Sequence, residues 1–377
     1  FRAPHMTDPK PFRAIIACGG TGGHLFPGLA VAESLHERGH EVLLFVSEKE
    51  IDAVALKAHP QFRAEKLPSV GMPAMLLSPA FIGFVRRCWD SYRQCRTIYR
   101  KYRPSVVLGM GGFTSTAPIL AARMQGLPCF IHESNAIPGR ANRLAARFAS
   151  RVLLGFEDCR QRFPGSDCIV TGTPVRKNLG QPMERSDAMK VFGLDPARPT
   201  LLVTGGSQGA SGINQILFRT APLLAQSGLK IINLTVKNDD RLAAANYQRD
   251  EIPHYVAPFH HRMEEAYSAA DLVISRAGAS SLSELSQFGL PSILIPYPHA
   301  TDDHQKANGE IYVRTGAAVM TEEKDIVPEV FAAMISNLLN DPSRRAAMAA
   351  AAKKMTPESA AKNVADVMER AVKEGIK

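Results

Sequence analysis

Short apolar runs alternate with helical patterns along most of the chain. The first run, Ala14–Cys18, is followed by a glycine-rich loop and then by apolar residues at helical spacing. Apolar runs that alternate with helices of about 10–15 residues are typical of βαβ units and parallel sheets. The strands predicted after the first are Glu41–Val46, Ser105–Met110, Pro128–His132, Arg151–Phe156, Thr200–Thr204, Lys230–Thr235, Ala270–Ser275 and Pro291–Pro296.

The glycine-rich turn after the first strand has a counterpart in the second half of the chain. Gly19–Gly23 (GGTGG) and Gly205–Gly209 (GGSQG) both read G-G-[ST]-x-G, each between a predicted strand and a predicted helix. A glycine-rich first turn is typical of doubly wound α/β domains. We therefore predict an α/β protein of two doubly wound parallel-sheet domains, residues 7–175 and 176–356, with an amphipathic helix within 357–377.

Length and composition fit this interpretation. At about 100–200 residues per domain, 377 residues suggest two or three domains, and 45% hydrophobic with 21% charged residues is ordinary for a soluble globular protein. No apolar run reaches the roughly 18 residues of a transmembrane helix. The segment before Met6 is expected to be an appended one and not a signal peptide, because no apolar run follows it. Six cysteines without a C-x-x-C pair argue against a zinc site and favour a reducing compartment.

The positive charge of the chain lies in its first half. Residues 1–175 contain 22 Lys and Arg against 13 Asp and Glu, whereas residues 176–377 contain 23 of each kind. The net charge of +9 therefore belongs to the first domain. This asymmetry indicates that the first domain has an anionic partner that the second does not share.

Three glycine loops directly follow predicted strands: Gly19–His24, Gly109–Thr114 and Gly205–Ala210. Such turns let backbone N–H groups approach phosphate oxygens at the start of a helix, although they also serve strand–helix packing alone. None has the lysine of a nucleoside-triphosphate-binding P-loop. None is followed by the acidic residue of a dinucleotide site, so we expect neither cofactor.

Polar residues at two strand ends are candidates for chemistry in the first domain. His24 ends the first glycine loop and is either a helix-capping histidine or a proton acceptor beside a phosphate. His132–Asn135 follows a predicted buried strand, where ligands of open α/β sheets bind. A solvated loop is the alternative for that segment.

Two polar segments stand out in the second domain. In Ser275–Glu284, small residues precede a helix and suit backbone contacts to a phosphate, while Ser281 and Glu284 also fit a capping box. The segment His299–Gln305 (HATDDHQ) lacks the paired histidines of a helical metal site, and the chain has no Asp-x-Asp. We therefore expect no metal, and a leaving diphosphate would be stabilised by helix N-termini instead.

Residues 75–103 combine apolar and basic positions. Apolar residues that include Phe84 and Trp89 recur at helical spacing, and seven Lys or Arg accompany a single acidic residue. The pattern fits a core-facing stripe with a solvated basic face, or an interfacial helix on anionic lipid. Nucleic acid is the weakest interpretation, since no nucleic-acid-binding signature is present.

Together, seven motifs resemble the MurG family of bacterial N-acetylglucosaminyltransferases. The motifs are ACGGTGGHLFP, VVLGMGGFTS, HESNAIPGRANR, GTPVR, GGSQGASGINQ, SRAGASSLSEL and HATDDHQKANGE, in order from about residue 13 to 320. The resemblance implies a GT-B fold, two Rossmann-like domains facing a cleft, with the C-terminal helix packed back on the first domain. It also implies inverting transfer of GlcNAc from UDP-GlcNAc to the C4 hydroxyl of undecaprenyl-diphosphate-linked MurNAc-pentapeptide (lipid I), giving lipid II. Members act peripherally on the cytoplasmic face of the membrane, which fits an anionic surface contact through 75–103.

The resemblance also assigns residues, motif by motif. It places Thr21, Gly22 and Gly23 in the first glycine loop and assigns Asn135 a contact to the donor sugar. It assigns Arg176 and Ser207 other contacts to the donor, and His260 a backbone contact to uracil. The diphosphate and ribose stretch corresponds to Ala279, Ser280, Ser281, Leu282, Ser283 and Glu284, with Glu284 on the ribose, and Gln305 reads the GlcNAc hydroxyls. His24 and Glu133 are the candidates for the catalytic base, and we favour His24 because it lies at the acceptor loop.

The sequence departs from the family pattern at three places. Ser134 replaces a glutamine, Phe113 replaces a tyrosine, and Asn233–Lys237 lacks the usual histidine, glutamine and glycine. Two other functions remain open. A UDP-GlcNAc 2-epimerase would share the fold and the donor, and a nucleotide-sugar-binding membrane-surface protein would bind UDP without turnover.

Overall fold

The computed structural model describes residues 10–68, 79–206, 211–235, 239–357 and 359–376. Its contacts divide the chain into two units. Unit 1 comprises Phe1–Arg176 and Ser359–Lys377, and unit 2 comprises Lys177–Glu358.

Unit 1 is built on a parallel sheet of seven strands in the order β3-β2-β1-β4-β5-β6-β7. At the centre of the sheet Ile15 lies opposite Leu43 on one side and Val107 on the other. The elements are β1 (Arg13–Ala17), α1 (Gly22–Glu37), β2 (Glu41–Val46), α2 (Glu50–Lys57), β3 (Arg63–Lys66), α3 (Pro79–Tyr102), β4 (Val106–Gly109), α4 (Phe113–Arg123), β5 (Cys129–Glu133), α5 (Arg140–Ala145), β6 (Arg151–Leu154) and β7 (Cys168–Val170).

Helices cover both faces of this sheet. Because successive side chains of a strand point to opposite faces, Ile16 and Leu44 pack with α1 while Ile15 and Phe45 pack with α3 and α4. Strands that are buried on both faces carry continuous apolar runs instead of alternating ones. This is why the central strands are readable from the sequence.

Unit 2 contains a parallel sheet of six strands in the order β10-β9-β8-β11-β12-β13. A core cluster on one face joins Leu201, Val203 and Ile274 of the strands to the helices that cover them. The elements are α6 (Arg185–Phe192), β8 (Thr200–Thr204), α7 (Ser211–Leu224), β9 (Lys230–Leu234), α8 (Asp240–Arg249), β10 (His254–Ala257), α9 (Met263–Ala269), β11 (Leu272–Ser275), α10 (Ala279–Phe288), β12 (Ser292–Leu294), α11 (His304–Arg314), β13 (Ala318–Met320), α12 (Pro328–Leu339) and α13 (Pro342–Lys353).

The last helix, α14 (Ala360–Glu374), belongs to unit 1. Its Val364 and Met368 are fully buried in the same core cluster as α1. At the edge of that contact the carboxylate of Glu369 accepts from His40 Nε2 at 2.9 Å and pairs with Arg38 at 3.1 Å. Apolar burial and this ion pair together hold α14 against α1.

The predicted fold class, an α/β protein of two doubly wound parallel-sheet domains, is confirmed. Four strands escaped the sequence analysis: β3, β7, β10 and β13. These are the edge strands of the two sheets. Edge strands are covered less completely, as in β3, where all four residues are exposed, so they carry no apolar run.

Candidate functional site

In both units the strand order reverses beside the first strand, and ligands of doubly wound folds bind at such a switch point. In unit 1 the switch point lies between β1 and β4, and in unit 2 between β8 and β11. The polar segments predicted from the sequence follow these strands and their neighbours. Each switch point is therefore described as a candidate site in its own unit.

The first glycine loop of unit 1 is shaped by close backbone contacts. A Cβ atom at Gly19 would lie 2.2 Å from the backbone nitrogen of Ser47, so only glycine fits there. The hydroxyl of Thr114, in the second glycine loop, donates to the Gly19 carbonyl at 3.2 Å and ties the two loops together. Helix α1 then starts at Gly22, with Thr21 as its N-cap but no side-chain cap.

The N–H groups of Gly22 and Gly23 meet no acceptor among the described residues. Free amides at the start of a 16-residue helix attract anions, because they add to the positive end of the helix dipole. Thr21, Gly22 and Gly23 thus form a turn that can bind a phosphate.

His24 lies against the second glycine loop. Its Nδ1 is 3.1 Å from Thr21 Oγ1, and a Cβ atom at Gly111 would approach Nε2 to 2.8 Å. Burial lowers the pKa of His24 to about 4, with Lys49 adding to the effect and Asp52 opposing it. The imidazole is therefore neutral at pH 7, and its Nε2 has no hydrogen-bond partner among the described residues. A neutral imidazole in this state can accept a proton.

Glu133, the second candidate base, is buried with both carboxylate oxygens occupied. Oε1 accepts from the backbone N–H and side-chain amide of Asn135 at 2.9 and 3.1 Å, and Oε2 accepts from Gly139 N and Asn142 Nδ2 at 3.1 and 2.8 Å. Burial raises the pKa of Glu133, while these hydrogen bonds lower it. Four N–H donors suit a carboxylate that orders its own loop. One of them, Asn142 Nδ2, also lies 3.3 Å from the position of a Cβ added at Gly111, so Asn142 links Glu133 to the second glycine loop.

The other predicted residues of unit 1 surround this cluster. Asn135 is held by Glu133. The buried His132 donates from Nε2 to the Gly172 carbonyl at 2.9 Å, and burial lowers its pKa to about 4. Ser134 Oγ lies 3.3 Å from His132 Nδ1. The guanidinium of Arg176 stacks over the ring of Phe26, in the first turns of α1, at 4.6 Å.

The switch point of unit 2 is formed by the turn after β8 and the start of α10. Gly206 has a φ of +61°, and Ser281 Oγ lies 3.0 Å from where its Cβ would be. The two turns are therefore in contact. Ser207, the predicted donor contact of the first turn, lies outside the described residues.

Helix α10 starts at Ala279 with Gly278 as its N-cap and no side-chain cap. The capping-box interpretation of Ser281 and Glu284 is therefore wrong, because the helix begins two residues earlier. The N–H groups of Ala279, Ser280 and Ser281 meet no acceptor among the described residues, whereas Leu282 N bonds to the Gly278 carbonyl at 2.9 Å. The side chains of Leu282 and Ser283 are buried in the unit. The turn offers backbone amides to an anion.

Glu284 and Gln305 are both held in place by neighbours. The hydroxyl of the buried Tyr267 donates to Glu284 Oε2 at 2.8 Å. Gln305, also buried, accepts from the backbone N–H of Tyr297 at 3.0 Å, and its Nε2 lies 4.0 Å from the Cβ position of Gly278. Gln305 therefore sits beside the N-terminus of α10.

His260 lies further along, between β10 and α9. Its Nε2 is 2.9 Å from a carboxylate oxygen of Glu265, and its ring packs on Phe192 with centroids 5.2 Å apart. The side chain is thus engaged within unit 2. Its predicted role concerned only its backbone, which these contacts leave open.

Four further residues support the two switch points and were missed by the sequence analysis: Asp52, Asn142, Tyr267 and Arg276. Arg276 is buried, donates to the carbonyls of Ile295 and Pro296 at 3.1 and 3.2 Å, and pairs with Glu323. For Asp52 and Tyr267 the sequence carried no signal, because each acts through a contact distant in sequence. Asn142 and Arg276 lay inside the family-like motifs, and that position was the only signal available.

The possible metal ligands of the HATDDHQ segment are not arranged as a site. Thr301–Asp303 forms a 3-10 turn, and His304 Nδ1 lies 2.8 Å from the Thr301 carbonyl. Across the described ranges, no group of three or more His, Cys, Asp or Glu could hold a metal ion. Metal independence remains a prediction.

Helix α3 combines an inner and an outer apolar face. Phe84 packs edge-on against Phe113 of the second glycine loop, with centroids 5.2 Å apart. On the other side Ile82, Val85 and Trp89 are 73%, 50% and 59% exposed. The described helices include none with the length and hydropathy to cross a bilayer. One face of the segment therefore belongs to the core and the other is open, while the contact with anionic lipid stays a prediction; residues 75–78 lie outside the described chain.

Comparison with known families matches both halves of the chain. The model of the glycosyltransferase family 28 N-terminal domain matches residues 14–154, and that of the family's C-terminal domain matches residues 200–364. A curated protein of Geobacter sulfurreducens is 37% identical over 360 residues, 94% of this chain and 98% of its own length. It is named UDP-N-acetylglucosamine--N-acetylmuramyl-(pentapeptide) pyrophosphoryl-undecaprenol N-acetylglucosamine transferase.

Solved structures agree with these matches. The crystal structure of MurG from Acinetobacter baumannii aligns with a TM-score of 0.78 and 27% identity, covering 96% of this chain and all of that one. The calicheamicin glycosyltransferase CalG4 aligns with a TM-score of 0.70 at 14% identity, covering 98% of this chain and 100% of its own, and supports the fold alone.

Proposed function

Because this chain belongs to glycosyltransferase family 28, we propose that it transfers GlcNAc from UDP-GlcNAc to the C4 hydroxyl of lipid I, giving lipid II in peptidoglycan synthesis. Curated relatives that match nearly its full length bear this activity in their names. Within the chain, the neutral imidazole of His24 beside a phosphate-binding turn is the observation that carries the proposal.

Unit 2 binds the donor in this proposal. The free amides of Ala279–Ser281 take the diphosphate of UDP-GlcNAc, and Glu284, held by Tyr267, accepts from the ribose hydroxyls. Gln305 reads the sugar hydroxyls beside them. His260 contacts the uracil through its backbone, and Ser207 is a further donor contact. Asn135 contacts the donor sugar, and Arg176 is a further donor contact.

His24 performs the proton transfer. With Nδ1–H donating to Thr21 Oγ1, the lone pair of Nε2 is available for the proton of the acceptor hydroxyl. The C4 oxygen attacks the anomeric carbon as the bond to the diphosphate breaks, and the electron pair leaves on the UDP oxygen. One displacement inverts the anomeric centre. Glu133 orders the loop beside His24 and takes no proton, because both of its oxygens already accept N–H groups.

Charge that develops on the leaving diphosphate is met by the N-terminus of α10. Preorganised N–H groups stabilise such charge without the need to reorient solvent. A bound cation is therefore not required, and we expect transfer in the presence of a chelator.

The acceptor is carried on a membrane lipid, and helix α3 is the proposed contact to it. Ile82, Val85 and Trp89 would enter the interface, while exposed arginines on the same helix, such as Arg86 and Arg93, would meet anionic headgroups. The protein then works peripherally on the cytoplasmic face. Sedimentation with phosphatidylglycerol vesicles should exceed that with phosphatidylcholine vesicles. Trp89→Ser combined with Ile82→Ser should weaken sedimentation with both, and Arg86→Ser combined with Arg93→Ser should reduce the difference between them.

The decisive assay supplies UDP-GlcNAc and a short-chain lipid I analogue in the presence of EDTA. The proposal predicts release of UDP and formation of a disaccharide. Conversion of UDP-GlcNAc to UDP-ManNAc without acceptor would instead identify a 2-epimerase. UDP binding without either product would identify a binding protein, and substitutions at His24 would then have no catalytic effect.

A further inference from the structure

The residue just before the His24 turn is gripped at both ends of its backbone. Asp52 Oδ2 accepts from the N–H of Gly20 at 3.0 Å, and Lys49 Nζ donates to the carbonyl of Gly20 at 2.7 Å. Gly20 itself has a φ of +113°, a conformation that other residues rarely adopt. Two side chains therefore hold the N–H and the carbonyl of Gly20, the residue of this loop with a positive φ.

Asp52 is fully buried and makes more hydrogen bonds than the loop alone requires. Its Oδ2 also accepts from the N–H and the hydroxyl of Ser47 at 2.8 and 2.6 Å. Its Oδ1 is buried without a hydrogen-bond partner among the described residues. A buried polar atom without a hydrogen-bond partner costs about 1–3 kcal/mol, and more in a charged group. The position of Asp52 therefore carries an energetic cost, which its bonds through Oδ2 must offset.

The gripped residue connects directly to His24. Thr21 follows Gly20, and its hydroxyl is 3.1 Å from His24 Nδ1. Rotation of the Gly20–Thr21 peptide would move this hydroxyl, and with it the orientation of the imidazole. The charges of the same two side chains also act on the ring, in opposite directions: Lys49 lowers the pKa of His24 and Asp52 raises it. Among the described residues, His132 of β5 also interacts with the ring: burial lowers the pKa of His132, and His24 lowers it further.

We propose that Asp52 and Lys49 are positioning residues for His24: they hold Gly20 from both sides and so orient, through Thr21, the imidazole that takes the acceptor's proton. This clamp, defined as Asp52, Lys49 and Gly20, rests on the proposed role of His24. In this proposal Asp52 and Lys49 act through the loop and contact neither substrate. Their charges also act on the ring in opposite directions, so that loss of the Lys49 charge should raise the pKa of His24 and loss of the Asp52 charge should lower it.

The test follows the His24 Cε1–H signal by NMR during a pH titration, with His24→Ala used to identify the signal. Lys49→Met should raise the titration midpoint, and Asp52→Asn should lower it, each by roughly half a pH unit or more. Glu48→Gln and Lys57→Met change exposed charges on either side of the clamp and should leave the midpoint within about 0.2 of wild type. Opposite shifts would show that both charges act on the ring, and the loss of kcat tests whether the two residues also position it.

Activity provides the second readout. Asp52→Asn should lower kcat by about 10-fold while the Kd for UDP-GlcNAc changes less than about twofold, because the altered loop is that of unit 1. Equal midpoints in Asp52→Asn, Lys49→Met and the two controls would overturn the clamp. If Asp52→Asn fails to fold, the exposed Lys49→Met alone decides the question. Wild-type turnover in His24→Ala would instead overturn the role of His24 while the midpoints still test the clamp.

Discussion

The two switch points share one topology but carry different side chains. At the switch point of unit 1, His24 and Glu133 stand beside a glycine turn, and Asp52 lies buried beneath it. At that of unit 2, the charged groups have partners within the unit: Arg276 bonds to main-chain carbonyls and Glu323, and Glu284 accepts from Tyr267. Both sites offer helix N-termini to an anion, and at that of unit 1 the described residues also include the neutral imidazole of His24.

The difference has a physical origin in burial. At unit 1 desolvation lowers the pKa of His24 to about 4, so the ring stays neutral and can accept a proton at pH 7. At unit 2 the buried cation Arg276 bonds to the carbonyls of Ile295 and Pro296 and pairs with Glu323, and the turn offers backbone amides to an anion. One strand order therefore supports both proton transfer and anion binding, depending on which side chains lie beneath the turns.

The largest effect is expected from His24→Ala. Loss of the proton acceptor should lower kcat by about 10²- to 10⁴-fold, the usual contribution of general-base catalysis. The Kd for UDP-GlcNAc should remain within about twofold, because the donor turns belong to unit 2. Steady-state kinetics and calorimetry measure the two quantities. His36→Ala changes an exposed histidine of the same helix and serves as the control; a parallel loss there would contradict a specific role for His24.

Gly111→Ala tests the packing of His24 on the second loop. The added methyl would meet His24 Nε2 at 2.8 Å at a φ of +115°, so kcat should fall at least about 10-fold. Gly126→Ala is the matched control, because Gly126 also has a positive φ, +70°, but its Cβ would meet nothing within 4 Å. It should cost about 1 kcal/mol of stability and leave kcat unchanged. Equal kinetic losses in both variants would show that backbone strain alone matters.

The free energy of unfolding should fall on acidification. His132 has a pKa near 4 when folded and about 6.5 when unfolded, so the unfolded state binds the proton first as pH drops. Stability is then complete above pH 6.5 and is lost between pH 6.5 and 4, by about 2 kcal/mol at pH 5. His24 contributes with the same sign. Urea unfolding at pH 7 and 5 should show a smaller loss for His132→Gln than for wild type or His36→Gln; equal losses would contradict the assignment.

The smallest effect concerns unit 2. Tyr267→Phe removes the hydroxyl that holds Glu284 Oε2 at 2.8 Å. The KM for UDP-GlcNAc should rise about five- to tenfold, equivalent to about 1–1.4 kcal/mol, while kcat stays close to wild type. A loss of kcat with unchanged KM would contradict this, because it would give Glu284 a role in the chemical step and not in donor binding.

The sequence predicted the interior of both sheets but not their borders. Central strands such as Thr200–Thr204 are covered on both faces and appear as apolar runs. The edge strands His254–Ala257 and Ala318–Met320 are only partly covered, and a mixed, short segment cannot be told from a loop. The missing information is tertiary: pairing with a neighbour, not composition, makes these segments strands.

The sequence also predicted the turns better than what holds them. Glycines after apolar strands marked Gly19–His24 correctly, because backbone proximity requires glycine there. The prediction of a capping box at Ser281 and Glu284 was wrong. The residue pattern fits such a box, but the helix begins two residues earlier, at Ala279. Asp52 lies in a charged segment that suggests solvent exposure, and only its contact with Gly20, 32 residues away, reveals its burial.

The most direct test of this division of roles is single-turnover transfer to a short-chain lipid I analogue at increasing UDP-GlcNAc concentration. The account predicts that Tyr267→Phe reaches the wild-type rate once donor is saturating, whereas His24→Ala remains at least about 100-fold slower at every concentration. Recovery of His24→Ala by excess donor, or a persistent defect in Tyr267→Phe, would contradict it.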